Sequence, residues 1–209
     1  MNSPAPEDTV HPIPPRTLTI AYTGGQERRG PITMGQANMI RCILRDDPTH
    51  INIHDVWPVP EGTALEAVTD ALRALAVRHE GLRTTFPHPP GAAPVEQAVA
   101  ADGTFTVTVL DHTELPGDPA EYAESVARAA RAGRYALDRE FPLRITLLTV
   151  AGAPVHAALA CSHAVADGSA LAILREEFGE LLAGKELPEL VSLPPVDLAA
   201  VEASPAGLR

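Results

Sequence analysis

Residues 143–184 read LRITLLTVAGAPVHAALAC, then SHAVADGS, then ALAILREEFGELLAG. The first run is apolar on both sides of Ala151-Gly152-Ala153-Pro154. It predicts two buried strands, Leu143 to Val150 and Val155 to Cys161, joined as a hairpin. In the last run Leu171, Leu174, Phe178 and Leu181 recur at helical spacing, and Gly184 stands where a helix would close. An apolar hairpin that feeds an amphipathic helix predicts a sheet with helices against it. The uncharged stretch Ile145 to Ala166 is long enough to cross a bilayer, but Gly152, Pro154 and His156 interrupt it, so the strand reading stands.

The same two periodicities continue outward. Thr17 to Tyr22 alternates as a strand, and Thr33 to Leu44 suits a helix with Thr33 as N-cap. Ile51 to Val59 reads as a strand ended by prolines. Thr63 to Arg78 is the clearest helix: Leu65, Val68, Leu72, Leu75 and Ala76 share a face, with Thr63 and Glu66 spaced as a capping box. Burying each large aliphatic contributes roughly 1.5–3 kcal/mol, so that face should dock on a sheet. Phe105, Val107 and Val109 alternate with threonines as a half-buried strand, and Pro119 to Ala132 fits a helix. Residues 1–15 hold five prolines and read as a disordered leader. Residues 16–186 form the folded lobe, and 187–209 read as a proline-rich linker without a further element. The fold class expected is α/β (α+β): a two-layer sandwich with a mixed sheet.

Composition narrows the functions. The 209 residues are 45% hydrophobic and 21% charged, enough for a real core. A net charge of -11 opposes binding to phosphate backbones and to anionic membrane surfaces, so neither nucleic acid nor membrane is an expected partner. Two cysteines, Cys42 and Cys161, do not make a disulfide framework, and the N-terminus lacks the basic and apolar parts of a secretory signal. A cytoplasmic location is the expectation.

The chemistry-bearing residues lie between the hairpin and the helix, in Cys161 to Ser169, CSHAVADGS. A strand-to-helix junction projects side chains into the crevice beyond the strand end. A free imidazole titrates near ~6.5, so His163 could accept a proton at neutral pH. Gly168 removes a side chain where a substrate could approach. Taken alone the segment reads more readily as a core histidine followed by Asp167 as a helix N-cap.

A second segment, Arg78 to Phe86, reads RHEGLRTTF. The two in this order, about eighty residues apart, resemble the condensation domains of nonribosomal peptide synthetases. That family's second core motif is RHExLRTxF, matched here at every specified position. Its third is HHxxxDG, and here Ser162 stands in place of the first His while His163, Asp167 and Gly168 match. The first core motif, SxAQxRLWxL, is matched weakly from Thr33 to Ile40, with Gln36 identical. Leu137-Asp138 and Pro142-Leu143-Arg144 also resemble the family's stretch before its hairpin.

The resemblance implies a chloramphenicol-acetyltransferase-like lobe, the N-terminal of two, with the second lobe outside this chain. It implies an acyltransferase that forms an amide between an acyl thioester and an amine, each tethered by phosphopantetheine to a carrier protein, with no cofactor or metal bound directly. Partners would be peptidyl or acyl carrier proteins, a second lobe and neighbouring synthetase modules. His163 would be the catalytic group, as general base or by positioning the amine. Asp167 would pair with an arginine and brace the His loop; Arg78, Arg83 and Arg144 are the candidates, Arg83 first. Gly168 and Ser162 would line the substrate tunnel. Two other readings stay open: a half-domain that binds a carrier or partner lobe without catalysis, and an acyl-coenzyme A-dependent acyltransferase of the same superfamily.

Other constellations carry less. Cys161 and His163 lie two apart and would face one way as a Cys–His pair, although buried strand cysteines usually serve as small hydrophobes. His50 and His54 could ligate a metal, but no third ligand is evident. Arg128, Arg131 and Arg134 recur on one helix face, either solvated or offered to an acidic carrier.

Overall fold

The computed structural model describes residues 14–205 and 207. The leader expected over 1–15 therefore lies, up to residue 13, outside the described residues. In chain order the elements are β1 (Arg16–Tyr22), β2 (Arg28–Pro31), α1 (Met34–Arg45), α2 (Pro48–Ile51), β3 (Ile53–Pro58), α3 (Leu65–Arg78), a 3-10 turn (Glu80–Arg83), β4 (Thr84–Thr85), β5 (Glu96–Val99), β6 (Gly103–His112), α4 (Pro119–Arg131), β7 (Leu143–Val150), β8 (Ala153–Cys161), α5 (Gly168–Leu182) and α6 (Pro195–Glu202).

Five strands form a mixed sheet in the order β1-β6-β7-β8-β3, with β6 and β7 parallel and the other neighbours antiparallel. Odd-numbered residues of the central strands, among them Val107, Ile145, Leu147, Leu159 and Cys161, join Leu72, Leu75, Leu171, Leu174 and Phe178 in one core beneath α3 and α5. Even-numbered residues face α4: His54 of β3 meets Glu124, and Arg144 of β7 reaches the carbonyls of Ala130 and Gly133. Ala123 and Ala127 are fully buried and let α4 approach closely. The expected mixed sheet with helices packed on it is what forms. The helices occupy both faces, so the sheet beneath α4 is the middle of three layers. The pattern of a single segment says that it has a buried side but not which face of the sheet receives it.

Local signals account for most boundaries. Thr33 caps α1 in a full capping box with Gln36. The hairpin turn is tighter than expected: Val150 pairs with Ala153, leaving Ala151 and Gly152 at φ 50 and 80, the conformations of a two-residue primed turn. Gly184 ends α5 at φ 71 and donates its N–H to Leu181 O. Three expectations change. Thr63 does not cap α3, because its hydroxyl is turned back onto Pro60 O and the helix begins at Leu65. Ile51 closes the short α2 rather than opening a strand, and β3 begins at Ile53. The stretch 187–209 contains α6, which has little amphipathic pattern of its own. It docks instead through distant polar contacts: Asp197 with Arg28, and Glu202 accepting the N–H of Met34 at 2.7 Å.

A second, three-stranded sheet, β2-β5-β4, lies beside the main one. Its neighbourhood holds a smaller core of Ile40, Ile43, Phe86, Tyr135, Leu137 and Ala164. Among the described residues no helix is long and apolar enough to cross a membrane.

Candidate active site

β8 ends at Cys161 and α5 begins at Gly168, and the connection is built from alternating small and functional residues. Ser162 is fully buried, with its N–H on Pro142 O at 2.9 Å. A turn follows in which Val165 N–H donates to Ser162 O at 3.2 Å. Ala164 sinks into the smaller core and Ala166 into the larger, while Val165 packs against both. The backbone around His163 is thus nailed on either side, and the imidazole between them is partly exposed. The hydrogen bonds of the segment run through Cys161, Ser162, Ala164, Val165 and Ala170; among the described residues none engages the ring of His163.

The motif Arg78 to Phe86 supports this turn from below. A Cβ added at Gly81 would lie 3.2 Å from Val165 O, so the 3-10 turn packs backbone to backbone on the His163 connection. The charged residues of the motif each hold a different element. Arg78 Nε donates to Glu177 on α5 at 3.1 Å, and its NH2 group to Pro188 O at 2.6 Å. The His79 ring meets the other Glu177 oxygen at 2.5 Å. Glu80 accepts from Arg28 at 3.2 Å. Phe86 fills the smaller core. Glu177 and Arg28 had no local sequence signal, since their partners lie 98, 99 and 52 positions away.

The pairing expected of Asp167 is overturned. Its carboxylate accepts Ala170 N–H at 2.8 Å as the N-cap of α5, and Asp167 is exposed. The three candidate arginines are engaged elsewhere. Arg78 is held by Glu177. Arg144 donates to Glu140 at 2.9 Å and to carbonyls of 130, 133 and 134. Arg83, 5% exposed, turns each of its three nitrogens to a main-chain oxygen: Ala76 at 2.8 Å, Val77 at 3.2 Å, and Ala100. The physical reason is geometric: Arg83 sits where the last carbonyls of α3 lack intrahelical partners, and a guanidinium satisfies several at once. Ser162, expected in a tunnel wall, is sealed inside, its hydroxyl accepting weakly from Ala164 N–H at 3.4 Å. Gly168 is exposed, and a Cβ there would meet nothing within 4 Å.

The remaining candidates fall away. Cys161 is fully buried, and that burial pushes its thiol up to about 12, the opposite of an activated nucleophile. His54 lies between Glu124 at 2.8 Å and Arg131 at 3.2 Å, and among the described residues no group of three ligands could hold a metal. Each arginine of the row has a partner within the lobe, Arg128 in Glu124, Arg131 in His54 through one N–H, and Arg134 in the carbonyls of Ile43 and Asp46.

Comparison with known proteins adds an independent line. Phosphinothricin tripeptide synthetase PhsC of Streptomyces viridochromogenes is 36% identical over 142 residues, which is 64% of this chain and 12% of that protein. Tyrocidine synthase 3 of Brevibacillus parabrevis is 29% identical over 190 residues, 88% of this chain and 3% of that protein. Among solved structures, the condensation domain of the monacolin K polyketide synthase MokA superposes with a TM-score of 0.66 at 22% identity, covering 84% of this chain and 38% of that one. The X-domain of teicoplanin biosynthesis in complex with OxyB gives 0.61 at 21%, covering 87% and 39%. At these identities the structural likeness is one of fold. The chain spans well under half of each of these solved chains, and 12% or less of these two synthetases. The family model for the condensation domain matches residues 34–197, most of the chain and both motifs, and the chain belongs to the condensation domain family.

Proposed function

We propose that this lobe supplies the imidazole for amide-bond formation between an acyl thioester and an amine, both delivered on phosphopantetheine arms of carrier proteins. The observation that carries the reading is His163: partly exposed, with unengaged ring nitrogens, on a turn fixed in two cores. A free α-amine titrates near ~8 and is mostly protonated at neutral pH, so a group must take or hold its proton. As the nitrogen attacks the thioester carbonyl, a C–N bond forms and the C–S bond breaks. The proton passes from nitrogen to the imidazole, and the thiolate leaves with the electron pair of the C–S bond. No covalent enzyme intermediate is required.

Asp167 enters this mechanism only through structure. It fixes the first turn of α5, and through it the far end of the His163 connection. Gly168, exposed and unobstructed, keeps the entrance to that helix open to substrate.

One observation favours a second reading. Ser162, at the place of the motif's first His, is buried with its hydroxyl accepting from Ala164 N–H, so a carrier-binding lobe without catalysis is also supported. The discriminating experiment supplies the protein with an aminoacyl-carrier and either an acyl-carrier or an acyl-coenzyme A, and looks for carrier-bound amide by intact-protein mass spectrometry. Product from the acyl-carrier alone supports the proposal. Product from acyl-coenzyme A moves the activity to the coenzyme-dependent branch of the superfamily. Carrier binding without product from either donor supports the non-catalytic reading.

A further inference from the structure

A cavity of about 290 Å³ opens at the free edge of β3, between α4 and α5. It adjoins the His163 connection: Ile53 and Gly168 line it, and Ile53 is the register partner of Cys161, two residues before the imidazole. Its polar wall is Arg131, Arg175, His54 and Asp55.

The donors there are in excess. Val59 N–H crosses to Val155 O while Val56 N–H turns outward onto the Asp55 carboxylate. Even-numbered residues of β3 therefore point their amides away from β8, and His54 offers N–H and C=O to the open edge. Arg131 donates one N–H to His54 Nδ1, but its Nε is buried with no partner among the described residues. Such an orphan is destabilising unless something accepts from it. The Arg175 side chain is 49% exposed and spends one N–H on Asp55 at 3.2 Å, with no other hydrogen bond among the described residues. Asp55 offers little repulsion, since Trp57 Nε1 at 3.0 Å, Val56 N–H at 2.9 Å and Arg175 already surround its carboxylate.

The wall sets two guanidiniums against the Asp55 carboxylate, while Glu124 behind His54 is matched by Arg128, which leaves one positive charge on a chain of net charge -11. A single carboxylate balances that charge. A phosphate, carrying about −1.5 to −2 at neutral pH, would overshoot it. The volume sits at the lower end for small-molecule cavities and suits one side-chain-sized group.

We propose that this cavity receives the carboxylate of an acidic acyl or aminoacyl substrate, with Arg131 and Arg175 as its specificity-determining residues. The assignment to a substrate rests on the amide-forming reading above; the carboxylate site itself does not.

Trp57 is the only tryptophan, and its indole N–H rests on Asp55, so its emission reports on occupancy directly. The whole protein is titrated with glutaric acid monoamide, with the uncharged diamide, and with inorganic phosphate. The monoamide should give a saturable change that the diamide does not. Arg131→Gln and Arg175→Gln should each weaken it by about ten-fold, the loss of one charge-assisted bond. Arg175→Gln alters a half-exposed side chain and leaves the core intact, so at least this variant reads binding rather than folding. Equal binding of the diamide, unchanged affinity in both variants, or phosphate binding as tightly as the monoamide would each overturn the proposal. Saturable carboxylate binding in a protein that makes no amide would count against the transfer reading alone.

Discussion

Removing Arg83 should nearly unfold the protein without touching its surface. The guanidinium is 5% exposed and holds three main-chain oxygens, two at the C-terminal end of α3 and one, Ala100 O, just after β5. Each charge-assisted bond contributes about 1.5–3 kcal/mol, and each carbonyl left buried without a donor costs about 1–3 kcal/mol. Local relaxation recovers part of this, so Arg83→Ala should cost about 3–5 kcal/mol, the range found when one side of a buried polar arrangement is deleted. Against a total stability of about 5–15 kcal/mol that leaves a marginal fold. Gly25 supplies an internal control. A Cβ there would press on the Arg83 guanidinium, so Gly25→Ala should displace it and cost about 1–3 kcal/mol. The two losses share one cause. The double variant should therefore be little worse than Arg83→Ala, with a coupling of about 1–2 kcal/mol. Urea unfolding followed by Trp57 emission measures all four corners of the cycle. A cost under about 1 kcal/mol for Arg83→Ala, or strict additivity with Gly25→Ala, would refute the reasoning.

Three further outcomes follow from the same coordinates. Asp167→Ala should lose about 1 kcal/mol as a helix cap, whereas Asp167→Asn, which caps equally well, should keep both stability and any transfer activity; a large loss in the Asn variant would restore a charged partner for Asp167. Asp111 is held below the usual carboxylate range by the Thr149 hydroxyl and the Gly152 N–H at the hairpin tip. Because its folded value is the lower one, its contribution is present above the unfolded value near ~3.9 and disappears as pH falls through the folded value. Asp111→Asn should thus be less stable at neutral pH and show a shallower loss as pH falls below about 4; identical acid profiles would contradict this. Cys161, buried and with its thiol raised, should resist iodoacetamide in the native protein at pH 8 while Cys42 reacts, as peptide mass spectrometry can read; rapid native labelling of Cys161 would place it outside the core.

What could be read from residues alone was what local periodicity and caps encode. The hairpin around Ala151-Gly152, the α3 and α5 stripes and the Thr33 cap all depend on neighbours within four positions. α6 escaped because its seat is made by Arg28 and Met34, 169 and 168 positions from their partners. The site divides the same way. His163 and the N-cap alternative for Asp167 were legible from the strand-to-helix junction. The arginine pairing was carried over from the resemblance, and it failed where the partners were decided by the nearest carbonyls and by Glu177. The edge cavity was invisible, because Arg131, Arg175 and His54 come from three elements and meet only when α4 and α5 close on opposite faces of β3.

The proposed amide formation depends on one open imidazole. It is tested by single-turnover transfer between an acyl-carrier and an aminoacyl-carrier, comparing the unaltered protein with His163→Ala while carrier affinity is measured in the same samples. The rate of carrier-bound amide formation should fall by about 10²–10⁴-fold with carrier affinity unchanged. Turnover that survives the substitution would contradict it.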